Sequence, residues 1–99
     1  MTQDVTAAAL QALRLPPRQA DLLRAIARYW AEHGYAPGLR ELGNALGVSS
    51  TTAVSQGRDR LVVRGLVRVD AHVPRSLVIT ELGHAWLAAH PTPKEETAP

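Results

Sequence analysis

The sequence contains no cysteine. Disulfide stapling, thiolate zinc sites, iron–sulfur clusters and a cysteine nucleophile are thereby excluded, and the redox compartment is left undetermined. Nor does any run approach the roughly 18 to 20 consecutive apolar residues of a membrane-spanning helix, so no membrane partner is expected. The opening stretch MTQDVTAAALQALRL puts Asp4 where a secretory signal carries positive charge, and its apolar segment is too short, so a cytoplasmic location is expected. Paired metal ligands are missing as well. His33, His72, His84 and His90 show no i, i+4 spacing and no cysteine neighbour, so no zinc site is expected. There is no glycine loop ending in Gly-Lys-Ser/Thr and no Gly-x-Ser-x-Gly elbow. The carboxylates Asp21, Glu32, Glu41, Asp59 and Glu81 stand singly among arginines, unlike an acid–base pair. An enzyme is therefore not expected, nor a cofactor, and no small-molecule ligand is evident.

What is present is globular: 99 residues, 45% hydrophobic and 20% charged. That length fits one domain with one core, so a catalytic domain beside a binding module is not expected. The net charge is only +2, so its distribution matters more than its total. Residues 14 to 28 set Arg14, Arg18, Arg24 and Arg28 against Asp21, a net +3. Residues 40 to 76 set Arg40, Arg58, Arg60, Arg64, Arg68 and Arg75 against Glu41, Asp59 and Asp70, again net +3. A basic surface can thus exist on a nearly neutral protein. The same arginine excess, with its 16 alanines, also fits a genome rich in G and C. Charge alone therefore assigns no partner.

Residues 5 to 14 favour helix through alanine and leucine, with Ala9, Leu10 and Leu13 on one side. Pro16 and Pro17 break it, and Pro17 can open a second helix, because a first-turn residue needs no N–H. That helix runs to about His33 with Leu22, Leu23, Ile26, Ala27 and Trp30 as its apolar stripe, and Gly34 ends it. After the turn Tyr35-Ala36-Pro37-Gly38, Leu39, Leu42 and Leu46 line a short helix. Gly47-Val48-Ser49 follows, then a helix from Ser50 to Arg64 that Ser49 or Ser50 can cap and Gly65 can close. Residues 66 to 70 and 77 to 80 read as two strands of a hairpin around AHVPRS. Thr80 and Glu81 begin a last helix with Leu82, Ala85, Trp86 and Ala89 on one side, stopped by Pro91, and the polar tail 91 to 99 reads as disordered.

Two helices joined by a tight glycine-containing turn describe a helix-turn-helix, and the hairpin after them makes it winged. The fold class expected is mainly α with a small β-hairpin: a winged helix-turn-helix with extra helices at both ends. In such a fold the earlier helices and the hairpin bury the apolar side of the helix from Ser50 to Arg64, leaving its N-terminal end to protrude. At about 100° per residue, Leu61 falls beside Val54 on the core side, whereas Thr52, Gln56 and Asp59 fall opposite, flanked by Ser55 and Arg60. That outward face is hydroxyl and amide. Gln can pair with adenine N6 and N7, and Ser or Thr can meet either base type. Ser-Ser-Thr-Thr is equally an ordinary helix start, so its place between turn and wing carries the weight.

The segment PPRQADLLRAIARYWAEHGYAPGLRELGNALGVSSTTAVSQGRDRLVVRGLVRV is similar in order and spacing to the DNA-binding domain of LexA-type repressors. RGLVRVD and LVITELGHAWL resemble the wing and following helix of MarR-type winged-helix regulators. The resemblance spans about residues 15 to 90. Most specific are the Pro-Arg-Gln opening, the Tyr35-Ala36-Pro37 turn, Leu-Arg-Glu-Leu before Leu46-Gly47-Val48, and Arg64-Gly65-Leu66-Val67. It implies base-reading positions at Ser50, Thr52, Ala53, Ser55 and Gln56. Phosphate-backbone or wing contacts are expected from Arg40, Arg60, Arg64, Arg68, Arg75 and Ser76, with Arg75 and Ser76 the foremost wing candidates.

The sequence departs from that pattern in three ways. LexA-type repressors carry a self-cleaving domain with a serine and lysine pair, whereas the only lysine here is Lys94 in the tail, so self-cleavage is not expected. Gly57 and Arg58 stand where apolar core residues are usual. Arg58 lies about 40° from Val54, so either its stem packs while its guanidinium reaches outward, or glycine bends the helix and frees it for phosphate. The wing loop offers only His72 and Arg75 as cationic reach.

The organisation expected is an N-terminal helix over 1 to 14 that could serve dimerisation, a winged helix over 15 to 90 and the tail. A homodimer could use Leu10 and Leu13 with Trp86 and Leu87, unless Trp30 and Trp86 are core. The leading expectation is sequence-specific binding of double-stranded DNA as a transcriptional repressor. Alternatives are a winged-helix protein-interaction module and a plasmid or phage replication or partition protein.

Overall fold

The computed structural model describes residues 14–70 and 73–90. The predicted N-terminal helix up to Leu13, the apolar pair Leu10 and Leu13, His72 and the tail from Pro91 lie outside the described residues; Arg14, the end of that predicted helix, is not helical.

Helix α1 (Pro17–His33) opens on proline, as a first turn allows, and the Ala20 amide closes that turn on the Pro16 carbonyl at 3.0 Å. Its apolar stripe buries Leu22, Leu23, Ala25 and Ile26, and Gly34 stops it in the left-handed region at φ 79°. Helix α2 (Leu39–Leu46) contributes the buried Leu42. The tight turn after it depends on two glycines. Gly47 takes φ 71°, and Gly43 lets the chain double back so closely that a Cβ there would stand 2.7 Å from the Val48 carbonyl oxygen.

Helix α3 (Thr51–Val63) starts where the serines predict a cap, and Ser50 is the one that makes it: its Oγ accepts from the Ala53 amide at 3.2 Å. The predicted ends, Ser50 and Arg64, are thus the two capping residues. At the far end the Leu66 amide reaches the Leu61 carbonyl and Gly65 N–H the Val62 carbonyl, a pairing that leaves Leu61 and Leu66 fully buried together.

Strands β1 (Val67–Arg68) and β2 (Val78–Ile79) pair antiparallel, with Val67 opposite Ile79 and Arg68 opposite Val78. The ladder is shorter than the predicted strands 66 to 70 and 77 to 80. Beyond it the Leu77 carbonyl accepts from the Trp30 indole at 3.0 Å, and Ser76 takes over the pairing with Asp70 through its hydroxyl. Helix α4 (Glu81–Ala89) is capped by Thr80, whose Oγ1 accepts from the Gly83 amide and donates to the Gly65 carbonyl at 2.6 Å. Gly83 lets α4 lie directly on the Leu66 carbonyl.

Leu23, Ile26, Leu42, Leu61 and Leu66 form the centre of the core where α1, α2, α3 and β1 meet. Trp86 is 3% exposed and belongs to this core rather than to an outer face, and Leu87 packs partly buried against it. Its ring stacks on His90 at 4.2 Å, and Arg24 ties the end of α4 to α1 by donating to the His90 carbonyl at 3.0 Å. Among the described residues no helix is long and apolar enough to cross a membrane, and no group of three or more metal-ligating side chains forms.

Candidate nucleic-acid interface

The apolar residues of α3 determine which of its side chains remain outside. Val54 and Leu61 are buried, Val54 toward Gly43 of α2. The opposite side therefore faces solvent: Ser50, Thr51, Thr52, Ala53 and Gln56 are exposed, followed by Asp59 and Arg60, and Ser55 is half-buried on the flank. The end of α3 thus presents hydroxyls, a methyl and an amide held on a rigid, capped helix. Such groups can address base edges in a major groove, which is wide enough to admit a helix.

The predicted cations divide by their partners. Arg40 on α2, Arg60 on α3 and Arg68 on β1 are exposed, and their guanidinium groups have no hydrogen-bond or ion-pair partner among the described residues. They stand on α3 itself and on two elements packed against it. Arg64 donates from Nε to Gln19 Oε1 at 3.0 Å, which satisfies a glutamine only 8% exposed on α1. Arg75 holds the Glu41 carboxylate with both terminal nitrogens, at 3.1 and 3.2 Å. Ser76 clasps Asp70, accepting from its amide at 2.8 Å and donating to its carbonyl at 2.9 Å.

Arg58 follows the first of the two expected arrangements. Its Nε is buried with no hydrogen-bond partner, while Nη2 reaches Asp59 at 3.2 Å and Ser55 at 3.5 Å. Gly57 faces α1, and a Cβ there would come within 2.9 Å of Leu22 Cδ2.

Glu41, Tyr35 and Gln19 are site-supporting residues absent from the sequence-derived set. Glu41 accepts from the Gly38 amide at 2.6 Å while it binds Arg75, and those two interactions, Arg75 first, lower its pKa to about 2. Burial and the Glu41 carboxylate raise the pKa of the neighbouring Tyr29 hydroxyl. Glutamate three residues after a helix boundary is a capping signal that could have flagged Glu41. Its pairing with Arg75 has no local signal.

A short helix, a glycine-pinned turn, a helix with an exposed hydroxyl and amide tip, and an antiparallel hairpin together define a winged helix-turn-helix domain. Comparison with known families agrees: the LexA DNA binding domain family matches residues 12–76, and the chain belongs to that family. The LexA repressor of Oenococcus oeni is 42% identical over 76 residues, which cover 77% of this chain and 36% of that protein. The LexA repressor of Ligilactobacillus salivarius is 41% identical over 66 residues, 67% of this chain and 32% of the relative. For the LexA repressor of Bacillus subtilis the figures are 38% over 68 residues, 69% and 33%. The chain spans about a third of the length of these curated relatives.

Proposed function

We propose that residues 15 to 90 read a specific sequence in double-stranded DNA and serve a cytoplasmic transcriptional repressor. The observation that carries this reading is the exposed tip of α3, where Thr52 and Gln56 face solvent on a helix whose opposite side is locked into the core. Gln56 offers an amide suited to the paired contact with adenine, Thr52 and Ser55 offer hydroxyls, and Ala53 a methyl for thymine. Ser50 has its oxygen engaged in the cap and retains its hydroxyl proton for a base or phosphate.

Around that tip, Arg40, Arg60 and Arg68 supply the phosphate contacts that set register, while Arg64, Arg75 and Ser76, engaged with Gln19, Glu41 and Asp70, support the surface from behind. Two copies on half-sites about 10 bp apart, or a multiple of that, extend the small reading surface of one module. The domain contributes binding rather than catalysis.

The test is selection of bound fragments from a random duplex pool with the full chain, followed by anisotropy titration of an enriched duplex at two salt concentrations. A recovered motif and a slope of log affinity against log salt of about −0.9 per phosphate contact are expected. Failure to enrich any duplex, or flat salt dependence, refutes the reading.

A further inference from the structure

The wing of this domain is too short to hold its own shape. Its ladder consists of two residue pairs, and an isolated hairpin is marginal even when longer. Beyond the ladder Ser76 and Asp70 close the loop on itself, and what ties the loop to the body of the domain is an arginine in an unusual backbone conformation. Arg75 is the one described non-glycine residue with positive φ, at 55°, a conformation disfavoured for a side chain without a short polar group to support it. That conformation accompanies a three-point anchorage. Nη1 donates to the Ala36 carbonyl at 2.8 Å and to Glu41 Oε1 at 3.1 Å, Nη2 donates to Glu41 Oε2 at 3.2 Å, and the guanidinium lies 5.1 Å from the Tyr35 ring centre. Glu41 completes the connection by accepting from the Gly38 amide at the start of α2. One carboxylate therefore fixes both the first turn of the helix-turn-helix and the wing loop.

We propose that Glu41 and Arg75 are positioning residues that latch the wing to the start of α2, so that wing and reading helix meet DNA as one pre-organised surface. The inference rests on the DNA-reading function proposed above. Arg75 in this role spends its donors on the protein and supplies no phosphate contact. Its absence raises the ordering cost of binding instead of removing a counterion-releasing charge.

The two roles give opposite signs for Glu41→Gln. This change removes a negative charge from a DNA-binding domain, which electrostatics alone turns into tighter binding. Glutamine still accepts from the Gly38 amide, so the helix start survives. Loss of the latch predicts instead about tenfold weaker binding of the enriched duplex by the full chain, with the salt slope unchanged. Arg75→Lys keeps the charge and loses the fork, so it shows the same loss, and the double variant shows little more than either single one.

Without DNA, hydrogen exchange at the Asp70 and Val73 amides, which close the wing loop on Ser76 and on Asp70, accelerates in both variants while amides of the core helices keep their protection. Glu41→Gln binding as tightly as the unmodified chain, or Arg75→Lys binding normally while Arg75→Asn lowers the salt slope by about 0.9, overturns the latch. Unaltered exchange at the Asp70 and Val73 amides overturns it independently of any DNA. If the unmodified chain enriches no duplex, the DNA reading itself fails and the inference falls with it.

Discussion

Gly43→Ala tests how tightly the helix-turn-helix is packed, because local propensity and tertiary contact predict opposite signs. Alanine in place of an interior helical glycine stabilises by about 1 kcal/mol when nothing obstructs it. At Gly43, however, the new Cβ stands 2.7 Å from the Val48 carbonyl oxygen and 3.7 Å from Val54 Cγ2. Val48 cannot retreat freely, since its own amide donates to the Gly43 carbonyl at 2.8 Å. Forcing a methyl into a filled site costs about 1–3 kcal/mol, and displacing this hydrogen-bonded turn belongs at the upper end. A net loss of about 1–2 kcal/mol is expected, or about 5–15 °C in Tm for a domain of this size.

Gly57→Ala is the matched control. It is also interior to a helix, but its nearest obstacle is Leu22 Cδ2 at 2.9 Å, the end of a side chain. Repacking there roughly offsets the propensity gain, so stability stays within about 0.5 kcal/mol of the unmodified chain. Urea and thermal unfolding followed by circular dichroism measure both. Equal stabilisation of the two variants would refute the packing argument and leave propensity as the governing effect.

Gln56→Ala is expected to weaken the selected duplex by about 1–3 kcal/mol and to relax preference at one base pair with the salt slope unchanged, as a repeated selection with the variant reads out. Arg60→Gln is expected to weaken all duplexes alike and to reduce the salt slope by about 0.9, measured by titration across salt concentrations. The Glu41 pKa of about 2 lies below its ordinary value of 4.5, so its folded-state pairing stabilises fully above pH 4.5 and that contribution is lost as pH falls toward 2. Thermal midpoints measured from pH 5 to 2 should therefore decline less steeply in Glu41→Gln than in the unmodified chain.

The helices and their limits were legible because their signals are local. Pro17, Gly34, Gly47 and Gly65 mark helix boundaries, and the spacing of Val54 and Leu61 orients α3 without any structure. The exposed polar face of α3 followed from that orientation. Which arginines are free did not. Arg75 meets Glu41 across 34 residues and Arg64 meets Gln19 across 45, and no periodicity reports such pairings. The hairpin was overextended for the same reason: the alternation at 66 to 70 is real, but the Leu77 carbonyl is taken by Trp30, 47 residues away. Gly57 looked like a break in the apolar pattern, whereas its small size suits the approach of Leu22 from α1.

Thr80 joins elements that are otherwise separate. Its amide donates to the Leu66 carbonyl, and its hydroxyl donates to Gly65 and accepts from Gly83. Because one residue terminates the hairpin, roots the final helix and seals the exit of α3, these parts cannot be shed one by one. The junctions of α3, the hairpin ladder and α4 are therefore expected to lose protection together in native-state hydrogen exchange, whereas the wing loop beyond the ladder answers to its own anchorage.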